Sequence, residues 1–136
     1  AMLTTDISKA APGDSHISNI VNSNGGLIDD VLVYVLEPNV YRLSHGSGAT
    51  AATLKELAPK YDVTIEPDDT HVLSLQGPAS LSVLAPHTPL KIAELGYFMH
   101  APTTLFGKSI QLARGGYSGE RGYEVFCSRD DAVFIW

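Results

Sequence analysis

Cysteine is almost absent. Cys127 is the single thiol, so no disulfide can close within the chain, and its place in an apolar strand suits a small buried hydrophobe better than a nucleophile. Basic side chains are also few. Nine Lys and Arg stand against fifteen Asp and Glu, a net charge of -6, which argues against a general nucleic-acid binder. A small anionic ligand stays open, because local fields can oppose net charge. No apolar run is long enough to span a membrane. The histidines at 16, 45, 71, 87 and 100 fall in different segments and none belongs to a His-x-x-x-His pair, so no metal centre is expected. There is no Gly-x-Ser-x-Gly elbow, and Gly46-Ser-Gly48 lacks the Gly-Lys-Ser/Thr ending of a phosphate loop. No internal repeat is visible. No signal peptide is evident; Ala1-Met-Leu-Thr-Thr5 reads as an expression remnant and a start, which makes a cytoplasmic protein the expectation.

What is present is a globular composition: 44% hydrophobic and 18% charged residues in 136, one domain's worth. A chain of this size buries roughly two thirds of its unfolded surface. Residues 1–15, with Pro12 and Gly13, read as a loose lead-in, and 16–136 as a partial α+β domain from the middle of a longer protein. Strands are expected at 16–21, 28–36 and 40–45, the last two as a hairpin across Glu37-Pro-Asn39. Ser47 is the expected cap of a helix running to Pro59. The alternating stretches 63–66 and 71–75 read as a hairpin around Pro67-Asp-Asp-Thr70. Short helices are expected from Pro78 and from Thr88-Pro89 to Gly96, then a hairpin of 97–106 with 108–113, and a final strand at 123–127. Ser128 should cap a last helix, with Asp130 and Asp131 in its first turn. Hairpins with singly inserted helices predict α+β with antiparallel sheets, not a parallel doubly wound sheet.

Two stretches carry chemistry. In Arg114-Gly-Gly-Tyr-Ser-Gly-Glu-Arg-Gly-Tyr-Glu-Val-Phe126, four glycines shape a loop close to something bound or packed. Alternation then puts Tyr123, Val125 and Cys127 on one strand face and Glu124 with Phe126 on the other. Glu124 could equally pair with Arg114 or Arg121, while Glu120 and Arg121 read as a solvated loop tip. The second stretch holds Asp30, which alternation sets on one face with Ile28, Leu32, Tyr34 and Leu36. A carboxylate on an otherwise apolar face has its pKa moved by desolvation or by a donor, either of which prepares it to hold or move a proton. Asp29 and Asp30 could instead simply end the Asn22-Ser-Asn-Gly-Gly26 turn through backbone bonds. Tyr34 lies about 13 Å further along at roughly 3.3 Å per residue, a span on which a flat bicyclic ligand could lie; an ordinary strand tyrosine fits there too.

The glycine stretch resembles a motif of the glycine cleavage system T-proteins, the tetrahydrofolate-dependent aminomethyltransferases, which runs roughly Arg-Thr-Gly-Tyr-Thr-Gly-Glu-x-Gly-Phe/Tyr-Glu. Gly25-Gly-Leu-Ile-Asp-Asp-Val-Leu-Val-Tyr34 resembles a second motif of that family, and Gln76-Gly-Pro78 a third. The three occur in the family's order, and the resemblance spans about Ser18 to the end. It implies a folate-binding region of repeated β-α-β-type subdomains, Asp30 as the key acid, Tyr34, Tyr117 and Glu124 as folate contacts, and tetrahydrofolate as cofactor. A carboxylate suits a pterin, whose 2-amino group and adjacent ring nitrogen can both donate to it. The implied reaction moves a one-carbon unit from an aminomethyl-lipoyl carrier protein to tetrahydrofolate, with no nucleic acid or membrane involved. The family is much longer than this chain, which corresponds to its middle, so the fragment alone is expected to be inactive.

The chain departs from the family pattern at Gly115 and Ser118, at Ile17 where the family often has a ligand-contacting tyrosine, and at Leu43-Ser-His-Gly46. These departures admit a divergent relative, a methyltransferase or demethylase on the same scaffold. The rival from another class is a non-catalytic folate-binding module of the kind appended to sarcosine or dimethylglycine dehydrogenases.

Overall fold

A computed structural model describes residues 2–136. The chain forms two compact units, residues 1–68 and 69–136, where the sequence reads as one domain behind a lead-in. The α+β class with antiparallel sheets is what the structure has.

The first unit is a three-stranded meander of β1 (Ser15–Val21), β2 (Leu27–Glu37) and β3 (Val40–His45), followed by helix α1 (Ala49–Leu57). The side-chain oxygen of Asn22 accepts from the amides of Asn24 and Gly26, closing the β1–β2 turn with Gly25 at φ 79°. Ile20, Val31 and Val33 form the core on one face of this sheet. Met2, Leu3 and Ile7 pack on that core, and Leu3 bridges to Ile20. The lead-in is therefore not loose: it buries apolar side chains and bonds to β1 from Thr4 and Thr5. The N-cap of α1 is Gly48, with no side-chain cap bond, so the expected cap Ser47 stands one residue too early.

The second unit is a four-stranded antiparallel sheet, β4 (His71–Gln76), β5 (His100–Leu105), β6 (Lys108–Ala113) and β7 (Gly122–Cys127), in the order β4-β7-β6-β5. α2 (Ser80–Leu84) and α3 (Arg129–Ile135) accompany it. β5 and β6 turn at Phe106 and Gly107, both at positive φ, and the Phe106 ring lies 4.4 Å from that of His87. Two expectations fail here. Residues 63–66 form no strand and are exposed; β4 pairs instead with β7, about fifty residues later. Local alternation reports a strand-like pattern but not its partner, and β7 supplies a buried edge that 63–66 cannot. Thr88 to Gly96 is a run of turns rather than a helix, fixed by the Thr88 hydroxyl accepting from the Leu90 amide. The core gathers Leu84, Leu105, Leu112, Tyr123, Val125 and Cys127, so β7 has the expected faces. Ser128 caps α3 as expected, its hydroxyl accepting from the amide of Asp131 at 3.2 Å.

Candidate functional site

Asp30 and Tyr34 lie in the first unit, Tyr117 and Glu124 in the second. On β2 the burial runs opposite to the expectation for the acid pair. Asp29 is the buried carboxylate, at 6% exposure, and Asp30 is exposed. Asp30 does share its face with Leu32 and Tyr34, since Asn19, Ile17 and Ser15 of β1 stand opposite the three in register. Ile28 leaves that group and packs on the Ile20 cluster, next to the register shift at Ile20/Val21. The strip beyond Asp30 is not open along its length either, because Tyr34 is 1% exposed.

Asp29 belongs to the architecture of the β3–α1 connection. One of its oxygens accepts from the Thr50 hydroxyl at 2.5 Å, the Ser47 hydroxyl at 3.0 Å and the Ser47 amide at 3.1 Å, with His45 Nδ1 at 4.0 Å. Ser47 stands one residue before the Gly48 N-cap; its hydroxyl donates to Asp29 and accepts from the Ala49 amide at 3.3 Å. The Thr50 hydroxyl, foremost, and then Ser47 hold the Asp29 carboxyl below its ordinary 3.8. A depressed folded pKa stabilises the fold above that ordinary value and loses the contribution as pH falls through the folded value. Asp29→Asn should therefore melt lower than wild type at neutral pH, and the difference in Tm should shrink as pH drops below about 3.8. A Tm difference independent of pH would mean that the charge of Asp29 is not what the donors hold. Gly46 runs between the two acids. A Cβ there would sit 3.7 Å from Oδ1 of Asp29 and 3.9 Å from Oδ1 of Asp30, so this glycine lies near both carboxylates.

In the second unit Glu124 stands half-buried on β7, opposite Ser74 of β4 and Ala113 of β6, on the sheet face away from the core. Arg114 donates to the Leu95 carbonyl, and Arg121 to the Tyr123 hydroxyl and to the carbonyls of Ile92 and Ala93. Arg121 is thus a brace rather than a solvated tip, tying the glycine loop to the turn after α2. Tyr117 projects from that loop with 68% of its surface exposed. Ser118 donates to the side-chain oxygen of Gln76 at 3.0 Å. Burial pushes the Cys127 thiol up, in keeping with a packed, unreactive side chain.

Gln76 is the residue that sequence reasoning passed over, as part of a helix start. Its amide lies against the glycine loop, and a Cβ on Gly116 or Gly122 would overlap it. Glycines spaced to admit a close approach were the available signal, but not what approaches. Gly122 has no unusual φ, so its need for glycine is steric. Gly122→Ala should destabilise the protein by roughly 1–3 kcal/mol through overpacking, and Gln76→Ala added to it should recover part of that loss. Denaturant unfolding of the single and double variants decides this; equal or greater loss in the double would refute the steric account.

Among the described residues no group of three or more His, Cys, Asp or Glu is gathered as a metal site would need. No helix of the structure is long and apolar enough to cross a membrane.

Comparison with known proteins bears on the family and the fold. The chain is 42% identical over 134 residues to the heme-dependent oxidative N-demethylase gamma subunit of Ectopseudomonas mendocina, covering 98% of this chain and 35% of that protein. It is 35% identical over 136 residues to an aminomethyltransferase of Deinococcus deserti, covering 96% of this chain and 38% of the relative. The fold matches the crystal structure of glycine cleavage system aminomethyltransferase T from Bartonella henselae with a TM-score of 0.79, at 24% identity, over 98% of this chain and 37% of that one. The chain thus spans a little over a third of the length of these relatives. A family model described as the GCVT N-terminal domain matches residues 1–136 throughout, and the chain belongs to that family.

Proposed function

We propose that this chain is part of a tetrahydrofolate-dependent one-carbon transferase. The carrying observation is the family match over the whole chain, with aminomethyltransferases among its relatives. In this reading Asp30, Tyr34, Tyr117 and Glu124 are the folate residues that the family resemblance implies, each taken by itself. Asp30, exposed at the turn end of β2, is accessible to a proton on a ligand; Glu124 offers two acceptors to neighbouring ring donors. Tyr34 enters through the family resemblance alone, its ring being buried. The one-carbon donor is an aminomethyl group on the sulfur of a lipoyl carrier protein; its carbon passes to tetrahydrofolate as the carbon–nitrogen and carbon–sulfur bonds break, releasing ammonia and the dihydrolipoyl thiol.

A second reading is favoured by one observation: the relative at 42% identity is named as a subunit of an oxidative N-demethylase. Here the same folate site would receive a one-carbon unit released by demethylation, with the Leu43-Ser-His-Gly46 departure marking the divergence. Calorimetric titration of the full-length parent protein with tetrahydrofolate tests what the two readings share: no binding would sink both. Supplying either an aminomethyl-lipoyl carrier or a demethylase system, and following methylenetetrahydrofolate, separates them.

A further inference from the structure

The loop that carries Tyr117 is gripped from β4 by one side chain. Gln76 Nε2 donates to the Gly115 carbonyl at 3.2 Å and to the Ser74 hydroxyl at 3.0 Å, and its Oε1 accepts from the Ser118 hydroxyl at 3.0 Å. The amide's orientation follows from its partners: the Gly115 carbonyl can only accept, so the nitrogen must face it. Two of the three bonds end on residues that bracket Tyr117 at two positions before and one after. Between them Gly116 adopts φ 137° and lies so close to the amide that a Cβ there would push the Gln76 side chain aside. The far end of the loop is held separately, the Arg121 carbonyl accepting from the Gly77 amide at 2.9 Å and the Ser80 hydroxyl at 3.0 Å. The backbone beside Tyr117 is thus tied down while its ring is 68% exposed. That combination, a restrained backbone under a presented aromatic, is what lowers the ordering cost of binding.

We propose that Gln76 is a positioning residue that sets the ligand-facing pose of Tyr117, an assignment that rests on the reading of Tyr117 as a folate contact. The amide does not itself need to touch the ligand; it holds the Gly115 carbonyl and the Ser118 hydroxyl, on either side of the residue from which the ring projects.

The test is a double-variant cycle in the full-length parent protein. Tetrahydrofolate affinity is measured by anaerobic calorimetry for wild type, Gln76→Ala, Tyr117→Ala and the combination, with Tm recorded for each. We expect each single substitution to raise Kd about tenfold, and the double to bind no more weakly than Tyr117→Ala, because Gln76 acts through that ring. Losses that multiply in the double variant would overturn the assignment, as would unchanged affinity in a folded Gln76→Ala protein. Tyr117→Ala with wild-type affinity would overturn the folate reading and this inference with it, an outcome distinct from failure of the Gln76 arm alone. Should Gln76→Ala not fold, Ser118→Ala, which removes one bond to the same amide, enters the cycle in its place. Non-additivity with Tyr117→Ala is again the expected result, and additivity the overturning one.

Discussion

Asp30→Asn in the full-length parent protein should fold normally and lose roughly 10²–10⁴-fold in turnover, the range for a lost acid–base group. The substitution keeps volume and most hydrogen bonding but can neither hold a negative charge nor exchange a proton. Because Asp30 is exposed on its strand face, little of the fold depends on it. Asp29→Asn is the control, and its expected behaviour differs in kind. Alternation alone would make it the milder change in every respect. Its carboxylate instead receives three bonds from Ser47 and Thr50, so its cost falls on stability and on the turn at Gly46. Steady-state rates with circular dichroism melts separate the two. Should Asp29→Asn lose turnover while keeping its Tm, the acid has been assigned to the wrong member of the pair; should neither lose turnover, both acids are structural.

Glu124→Gln should weaken tetrahydrofolate binding by roughly 1.5–3 kcal/mol, the worth of a charge-assisted hydrogen bond, or about ten- to a hundredfold in Kd. The residue sits centrally in the sheet, between Ser74 and Ala113, on a strand whose opposite face carries Tyr123, Val125 and Cys127 in the core. Gln retains the shape and leaves that core untouched, so Tm should hold. The measurement is calorimetric affinity in the full-length protein. Unchanged affinity would mean that Glu124 serves the sheet and not the ligand.

Much of this was legible in the sequence because it is local. The β2–β3 hairpin, the Phe106-Gly107 hairpin, the Ser128 cap and the two faces of β7 each depend on residues within a few positions of one another. Period-two alternation and turn chemistry report such features directly. The motifs around Asp30, Gln76 and Glu124 likewise occur as short contiguous strings, and the family they resemble is the one the chain belongs to.

Only the tertiary structure decided which acid of the pair is buried, and why. Alternation puts Asp29 and Asp30 on opposite faces but cannot say which face will meet the start of α1; the Ser47 and Thr50 hydroxyls, about twenty residues away, settle it for Asp29. In the same way the exposed 63–66 stretch and β4 carry similar patterns, and β4 alone is a strand because β7 stands beside it. The glycines at 116 and 122 announce a close approach, and Gln76, some forty residues earlier, is what approaches. In each case the deciding partner is remote in sequence. A hydrogen bond or a steric exclusion depends on distance in space, which the order of residues along the chain does not contain.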